Sequence, residues 1–139
     1  MRIEFNRPFI GQAHYVFCGI RENIRGGKSS EWSFEDKTYW LGHANPIVIT
    51  LRGGMTVASR TLFRSPIVWT VVTSCGRKWQ IIETLRKGGC VRLVTDWKST
   101  DGKHIMTFFR TGCWTGTAVI RPDWSKDVGV LVGMIMTAW

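Results

Sequence analysis

The sequence predicts a mainly β fold, a β-sandwich or barrel of about eight strands with one short flanking helix (about 77–87) and a long loop (about 21–45). Three observations predict it. Runs of β-branched and aromatic residues recur along the chain, and such residues are enriched in strands. Glycine, proline and short polar clusters separate these runs, as turns do. Hydrophobic residues make up 44% of the sequence and charged residues 21%, which suits one domain spanning residues 1–139 with a substantial core.

Eight runs predict strands, and glycine turns join some of them into hairpins. The predicted strands are 12–20, 47–52, 55–63, 67–73, 90–97, 103–110, 116–121 and 128–138. The Gly53-Gly54 pair predicts a turn between the second and third of these strands. The tetrapeptide S-T-D-G at 99–102 predicts another hairpin turn.

The segment 77–87, R-K-W-Q-I-I-E-T-L-R-K, has a different pattern. A helical face would be shared by Trp79, Ile82, Leu85 and Arg86. Glu83 and Lys87 have the spacing of a helical ion pair. Gly88 follows two cations and suits a helix C-cap. The segment is therefore predicted to be a short helix, with a strand as the alternative.

The long loop is rich in aromatic residues. Connections of this length without secondary structure are uncommon in compact domains and are often functional. This one carries Trp32, Phe34, Tyr39 and Trp40, whose rings need a place to be buried. A neighbouring subunit is one candidate, and the rim of the chain's own sheet is the other. We expect these four residues to make inter-subunit contacts.

The last twelve residues, V-G-V-L-V-G-M-I-M-T-A-W, carry no charged side chain. The segment is too short to cross a membrane as a helix. A strand that is apolar on both faces must be covered on both faces. We therefore predict a final strand covered by another copy of the chain, with Met134, Met136 and Trp139 at the contact.

The net charge of +9 is concentrated in residues 51–121, which hold twelve basic and three acidic side chains. This excess is either an electrostatic footprint for a polyanion or a set of solvated turns. The same region contains Trp69, Trp79, Trp97 and Trp114. Small β-barrels bind single strands by stacking bases on aromatic side chains beside cations. A small basic nucleic-acid-binding barrel is therefore the alternative function.

The sequence contains no recognisable catalytic or metal-binding motif, so we expect no enzyme activity, cofactor or metal. His14 and His104 fall within apolar strands, where a hydrogen-bonded structural histidine is expected. The cysteines are Cys18, Cys75, Cys90 and Cys113. Their spacing predicts buried thiols, with disulfides credible only for an assembly outside the cell. The N-terminus has no apolar signal core, which indicates synthesis in the cytoplasm.

The order of elements resembles that of bacteriophage tail-tube proteins. The matching pieces are the loop at 21–45, the hairpin I-V-I-T-L-R-G-G-M-T-V-A-S-R, the helix W-Q-I-I-E-T-L-R-K and the final strand. The resemblance implies a virion structural protein, assembled in the host cytoplasm, that joins copies of itself edge to edge into stacked rings. It implies no membrane contact and at most transient nucleic-acid contact. The +9 charge would then lie on the outer wall, because cations in the lumen would retain passing DNA.

Overall fold

The computed structural model describes residues 1–26, 29–61, 65–88 and 92–139. The strands in these ranges are β1 (Arg2–Asn6), β2 (Ala13–Phe17), β3 (Ile20–Ile24), β4 (Ser29–Phe34), β5 (Lys37–Gly42), β6 (Ile47–Leu51), β7 (Thr56–Arg60), β8 (Ile67–Val72), β9 (Lys78–Gly88), β10 (Arg92–Ser99), β11 (His104–Arg110) and β12 (Thr115–Ile120). A 3-10 helix (Pro122–Asp127) leads into the helix α1 (Val128–Ala138).

The strands form one antiparallel sheet that curls into a nearly closed barrel. Its order is β3-β2-β1-β12-β11-β10-β9-β8-β7-β6-β5-β4. Strands adjacent in sequence therefore pair with one another, apart from β3 and β4, which scarcely pair. In addition, β1 pairs with β12, so the first strand lies beside the last. Such up-and-down closure removes most of the exposed strand edges that an open sheet would present. The mainly β prediction is confirmed, but the described barrel has twelve strands where about eight were predicted.

The helix α1 fills the interior of the barrel. All eight residues from Val128 to Ile135 are buried. A helix that is apolar on every side must be surrounded by protein. Gly129 and Gly133 allow a close approach, because a Cβ at either position would lie within 3 Å of Tyr39 or Trp32 atoms. The sequence-based prediction of a final strand was therefore wrong. Apolar runs do not distinguish a buried strand from a buried helix, and a helix satisfies its own backbone without a strand partner.

The predicted helix at 77–87 was also wrong, because this segment lies in β9, the longest described strand. Its side chains alternate: Trp79, Ile81 and Glu83 point to the barrel interior, and the residues between them point outward. The spacing that resembles a helical face is thus accidental. Pairing with strands on both sides supplies stabilisation that the local pattern does not contain.

The predicted long loop at 21–45 is instead made largely of β3, β4 and β5. Trp32 and Tyr39 are directly opposite each other in the register of β4 and β5. The connection is a tight turn at 35–36, in which Glu35 adopts φ 51°. Strand β1, whose R-I-E-F-N sequence alternates inward and outward, was not predicted either. These strands account for most of the difference in strand number.

The barrel has two ends that differ in their loops. The end at which α1 begins, called here the entry end, carries the turns at 18–19, 35–36, 52–55, 73–77 and 100–103. The opposite end, called here the far end, carries the connections 7–12, 43–46 and 111–114. At the far end, the Arg7 amide donates to the Trp114 carbonyl across 2.7 Å and joins two of these connections.

Candidate functional site

A buried carboxylate, Glu83, lies in the barrel wall, where hydrogen bonds hold it. Glu83 Oε1 accepts hydrogen bonds from Trp69 Nε1 at 3.0 Å and from Trp97 Nε1 at 2.9 Å. Its Oε2 accepts a hydrogen bond from Arg60 Nη1 at 3.2 Å. Burial raises the pKa of Glu83, although the three donors oppose that shift. Because these donors occupy both of its oxygens, the carboxylate links strands β7, β8, β9 and β10 through hydrogen bonds.

A hydroxyl, an imidazole and a carboxylate also meet on the outer wall. Thr107 Oγ1 donates to Asp96 Oδ1 at 2.6 Å, and His104 Nε2 lies 2.6 Å from the same hydroxyl. Burial acts to raise the pKa of Asp96, but hydrogen bonds from Thr107 and Arg86 outweigh it and keep the pKa below its usual range. The hydroxyl proton is directed to the carboxylate, so the imidazole is not placed as its general base. The prediction that His104 is hydrogen-bonded is confirmed.

The far end carries an exposed apolar cluster formed by Phe9, Ile10 and Trp114, called here the far-end cluster. The exposed fractions of these residues are 82%, 84% and 49%. The rings of Phe9 and Trp114 lie 5.8 Å apart, centroid to centroid. Gly11, with φ 100°, turns the chain directly after Ile10. Neighbouring large apolar side chains with this exposure mark a contact surface more often than isolated ones do.

Three arginines lie at the same end of the barrel as the far-end cluster. Arg7 begins the connection that carries Phe9, Arg25 directly follows β3, and Arg110 ends β11. Across the described ranges, none of these three arginines forms an ion pair. Arg110 Nε is buried and has no hydrogen-bond partner among the described atoms. Cations beside exposed aromatic rings are suited to phosphate contacts and base stacking.

The aromatic residues predicted to make subunit contacts lie mostly within the chain's own core. Trp32 is 1% exposed, stacks on Tyr39 at 5.9 Å and donates from Nε1 to the Gly129 carbonyl at 2.8 Å. Phe34 is buried as well, whereas Trp40 is half-buried on the outer wall. Their burial is thus explained without a second copy. Their role in a subunit contact stays a prediction.

The C-terminal residues of the predicted contact are likewise packed inside the barrel. Met134 is fully buried, and Met136 and Trp139 pack against the core with part of their surface exposed. The Trp139 ring lies 5.4 Å from Phe108 and 6.0 Å from Phe5, centroid to centroid. A contact of these residues with another copy also stays a prediction.

The expected burial of the cysteines was wrong for the three that the structure describes. Cys18, Cys75 and Cys113 are exposed free thiols, and Cys90 lies outside the described residues. The hydrogen bond from Thr73 lowers the pKa of the Cys75 thiol. The expectation of a hydrogen bond for His14 was wrong at Nδ1, which is buried without a partner among the described residues. Burial, aided by Arg21, lowers the pKa of this imidazole.

Sequence reasoning missed Phe9 and Ile10. The available signal was P-F-I-G, an apolar pair held between proline and glycine in a segment outside any predicted strand. Within the described ranges, no group of three or more histidine, cysteine or acidic side chains could hold a metal ion. The helices that the structure describes are all too short or too polar to cross a membrane. No protein-family model, curated protein or solved structure matches this chain.

Proposed function

We propose that this protein is a non-catalytic binding protein that docks single-stranded nucleic acid on the far end of its barrel. The observation that carries the proposal is the pair of exposed rings, Phe9 and Trp114, at the barrel end that also holds three arginines without an ion-pair partner among the described residues. Each ring offers a face on which a base can stack. The arginines offer guanidinium groups to the phosphates that join successive bases.

The charge of the whole chain supports the same ligand. A net charge of +9 attracts any polyanion over a Debye length of about 8 Å at physiological salt. That attraction alone is indifferent to sequence and weakens steeply as salt is added. Base stacking contributes roughly 1–3 kcal/mol per base and depends far less on salt. Stacking on the far-end cluster is therefore what would distinguish a built site from general phosphate attraction.

The test is fluorescence anisotropy with a labelled oligothymidylate across a salt series. Phe9→Ala and Trp114→Ala should each weaken binding by roughly 1–3 kcal/mol while leaving the salt slope unchanged. Met55→Ala is a matched control, because Met55 is 55% exposed at the entry end. Equal affinity of all three variants would contradict the proposal.

Ile10 has no aromatic face on which a base could stack, so this residue does not itself favour nucleic acid. An anionic membrane surface is therefore the competing ligand for the far-end cluster. Co-sedimentation with phosphatidylserine–phosphatidylcholine vesicles distinguishes the two ligands. We expect the oligothymidylate to bind and the vesicles to leave the protein in solution. Vesicle binding that is lost in Ile10→Ser, without measurable oligothymidylate binding, would replace nucleic acid with a lipid surface.

Assembly into a virion as a phage tail-tube subunit is our second proposal. The observation that favours it is again the far-end cluster, since an exposed apolar cluster can serve as a contact between copies. Sedimentation of concentrated protein tests it. A homopolymer or ring that Phe9→Ser disperses would support assembly, and a single species near 15.9 kDa would contradict it.

A further inference from the structure

The barrel has a seam between β3 and β4, where its wall is incomplete. In the described ranges, one bridge joins these strands: the Arg25 amide donates to Glu31 O at 2.8 Å, and the Glu31 amide donates to Arg25 O at 2.9 Å. Beyond this bridge the two strands share no ladder towards the entry end. Asn23 on β3 would face Ser33 on β4 if the register continued.

A side chain replaces part of the missing ladder. The Tyr15 hydroxyl on β2 donates a hydrogen bond to the Ser33 carbonyl on β4. In a continuous antiparallel pair, an amide of β3 would be the donor to that carbonyl. The backbone edge of β3 is therefore left without a strand partner along most of the seam. Unpaired strand edges are ready templates for another strand.

Two cavities lie along the seam. The one nearer the far end has a volume of about 410 Å³ and is lined by polar residues that include Arg21, Asn23 and Glu31. The one at the entry end, called here the seam groove, has a volume of about 400 Å³. Glu22 lines both, so the two cavities adjoin at this residue.

The seam groove combines an apolar floor with an acidic rim. Its floor is formed by Phe17, Phe34 and Ile20: the two rings lie 5.9 Å apart, and Ile20 is 64% exposed. The rim is formed by Glu22, Glu35 and Asp36. None of these three carboxylates has an ion pair with a described residue. Such an acidic rim stands out in a chain with a net charge of +9.

We propose that the seam groove binds an extended basic peptide of a partner protein, which adds a strand to the open edge of β3. From the seam groove the peptide would extend past Glu22 into the neighbouring cavity, where its backbone would pair with Arg21 and Asn23 of β3. This pairing supplies affinity independent of sequence. An apolar side chain of the peptide would cover Phe17 and Ile20. Its lysine or arginine side chains would meet the acidic rim. This activity is separate from nucleic-acid docking, which uses the far-end cluster.

Charge excludes the two other candidate occupants of the seam groove. A nucleic acid would bring phosphates against three carboxylates, and it has no amide ladder to offer a strand edge. A second copy pairing seam to seam would be related by a two-fold axis and would place the two acidic rims together. Like charges brought together at an interface are strongly unfavourable. A basic segment of another protein can pair with the open edge of β3, cover the apolar floor and place its cations at the acidic rim.

The test uses fluorescence anisotropy with two blocked, labelled peptides, K-V-K-I-K-V-K and E-V-E-I-E-V-E. We expect the basic peptide to bind, even though the net charge of the protein repels it, and the acidic peptide not to bind. Ile20→Ser should weaken binding of the basic peptide roughly tenfold, and so should the combined variant Glu22→Gln, Glu35→Gln and Asp36→Asn. Slower amide exchange at Asn23 upon binding would show strand addition directly.

The controls carry substitutions of the same kind elsewhere on the barrel wall. Val119→Ser removes an apolar side chain that is 38% exposed on β12, and Glu4→Gln removes a carboxylate on β1. Both variants should bind the basic peptide as the wild type does. Equal binding of the two peptides, or seam-groove variants that bind normally, would overturn the proposal. It would also be overturned if oligothymidylate displaces the peptide, or if a dimer forms that Ile20→Ser disperses.

Discussion

At the scale of single residues, the buried Glu83 shows how a charge is accommodated in an apolar wall. Its side chain is 6% exposed, yet two indole N–H groups and a guanidinium donate to it. A buried carboxylate without such donors would be strongly unfavourable. Arg60, Trp69 and Trp97 therefore all depend on the Glu83 carboxylate as their acceptor. The sequence predicts strands at Trp69 and Trp97 but a helix at Glu83, and it gives no sign that the three side chains meet.

We predict that Glu83→Ala lowers the free energy of unfolding by roughly 3–5 kcal/mol, the usual cost of breaking a buried ion pair. Arg60, whose side chain is 13% exposed, would keep a largely buried charge without its partner, and both indole N–H groups would lose their acceptor. Urea denaturation followed by tryptophan fluorescence measures the change.

The matched control for this prediction is Arg86→Ala, which breaks the 2.6 Å pair with Asp96 on the outer wall. Because the Arg86 side chain is 57% exposed, this change should cost less than about 1 kcal/mol. A Glu83→Ala protein as stable as Arg86→Ala would show that the two indoles and Arg60 find other partners.

At the scale of elements, the close packing of α1 depends on its glycines. A Cβ on Gly133 would lie 2.5 Å from Ile49 Cδ1 and 2.8 Å from Trp32 Cη2. Glycine normally weakens a helix by about 1 kcal/mol relative to alanine. Here its absence of a side chain sets the distance between α1 and the strands β4 and β6. The local propensity and the packing therefore act in opposite directions.

We predict that Gly133→Ala destabilises the protein, because overpacking typically costs about 1–3 kcal/mol and exceeds the gain in helix propensity. Thr137→Ala is the control, since it adds helix propensity at a half-buried position without adding a Cβ. Thermal unfolding followed by circular dichroism should show a lower Tm for Gly133→Ala and little change for Thr137→Ala. A higher Tm for Gly133→Ala would mean that α1 can shift within the barrel.

The comparison of sequence with structure also belongs to the scale of elements. Strands with alternating patterns and clear turns, such as β6, β7, β10 and β11, could be predicted from the sequence. The identities of β9 and α1 could not, because their patterns fit both a helix and a strand. Tertiary contacts decide the secondary structure of these two segments. Strand β9 has strand partners on both sides, and α1 lies in an interior that offers no strand edge.

The candidate surfaces were less accessible to prediction than the strands. Phe9 and Trp114 are far apart in sequence and meet because β1 and β12 pair. The seam groove depends on a ladder that fails between β3 and β4, and no local residue pattern marks such a failure. Composition did indicate a basic chain rich in tryptophan, and both features contribute to the far-end cluster. The positions of its members required the closed sheet.

At the scale of the whole molecule, the barrel and its helix depend on each other. Side chains alone fill a barrel of about eight strands, whereas barrels of about sixteen enclose a channel. A barrel of twelve described strands lies between these sizes and needs additional material in its interior. The helix α1 supplies it, with Leu131, Met134 and Ile135 fully buried. Without α1, the inward faces of the strands would have no apolar partner.

We predict that deletion of residues 134–139 abolishes folding. Met134 and Ile135 are both 0% exposed, and loss of each such side chain costs roughly 2–5 kcal/mol. Their combined loss alone approaches the roughly 5–15 kcal/mol that stabilises a typical domain. Deletion of Ala138 and Trp139 is the graded control, because it removes two partly buried residues and leaves the buried part of α1 intact. Circular dichroism and urea denaturation should show a folded but weakened protein for the shorter deletion and no cooperative unfolding for the longer one. A soluble 134–139 deletion that unfolds cooperatively near the wild-type midpoint would show that the barrel stands without the last turn and a half of its helix.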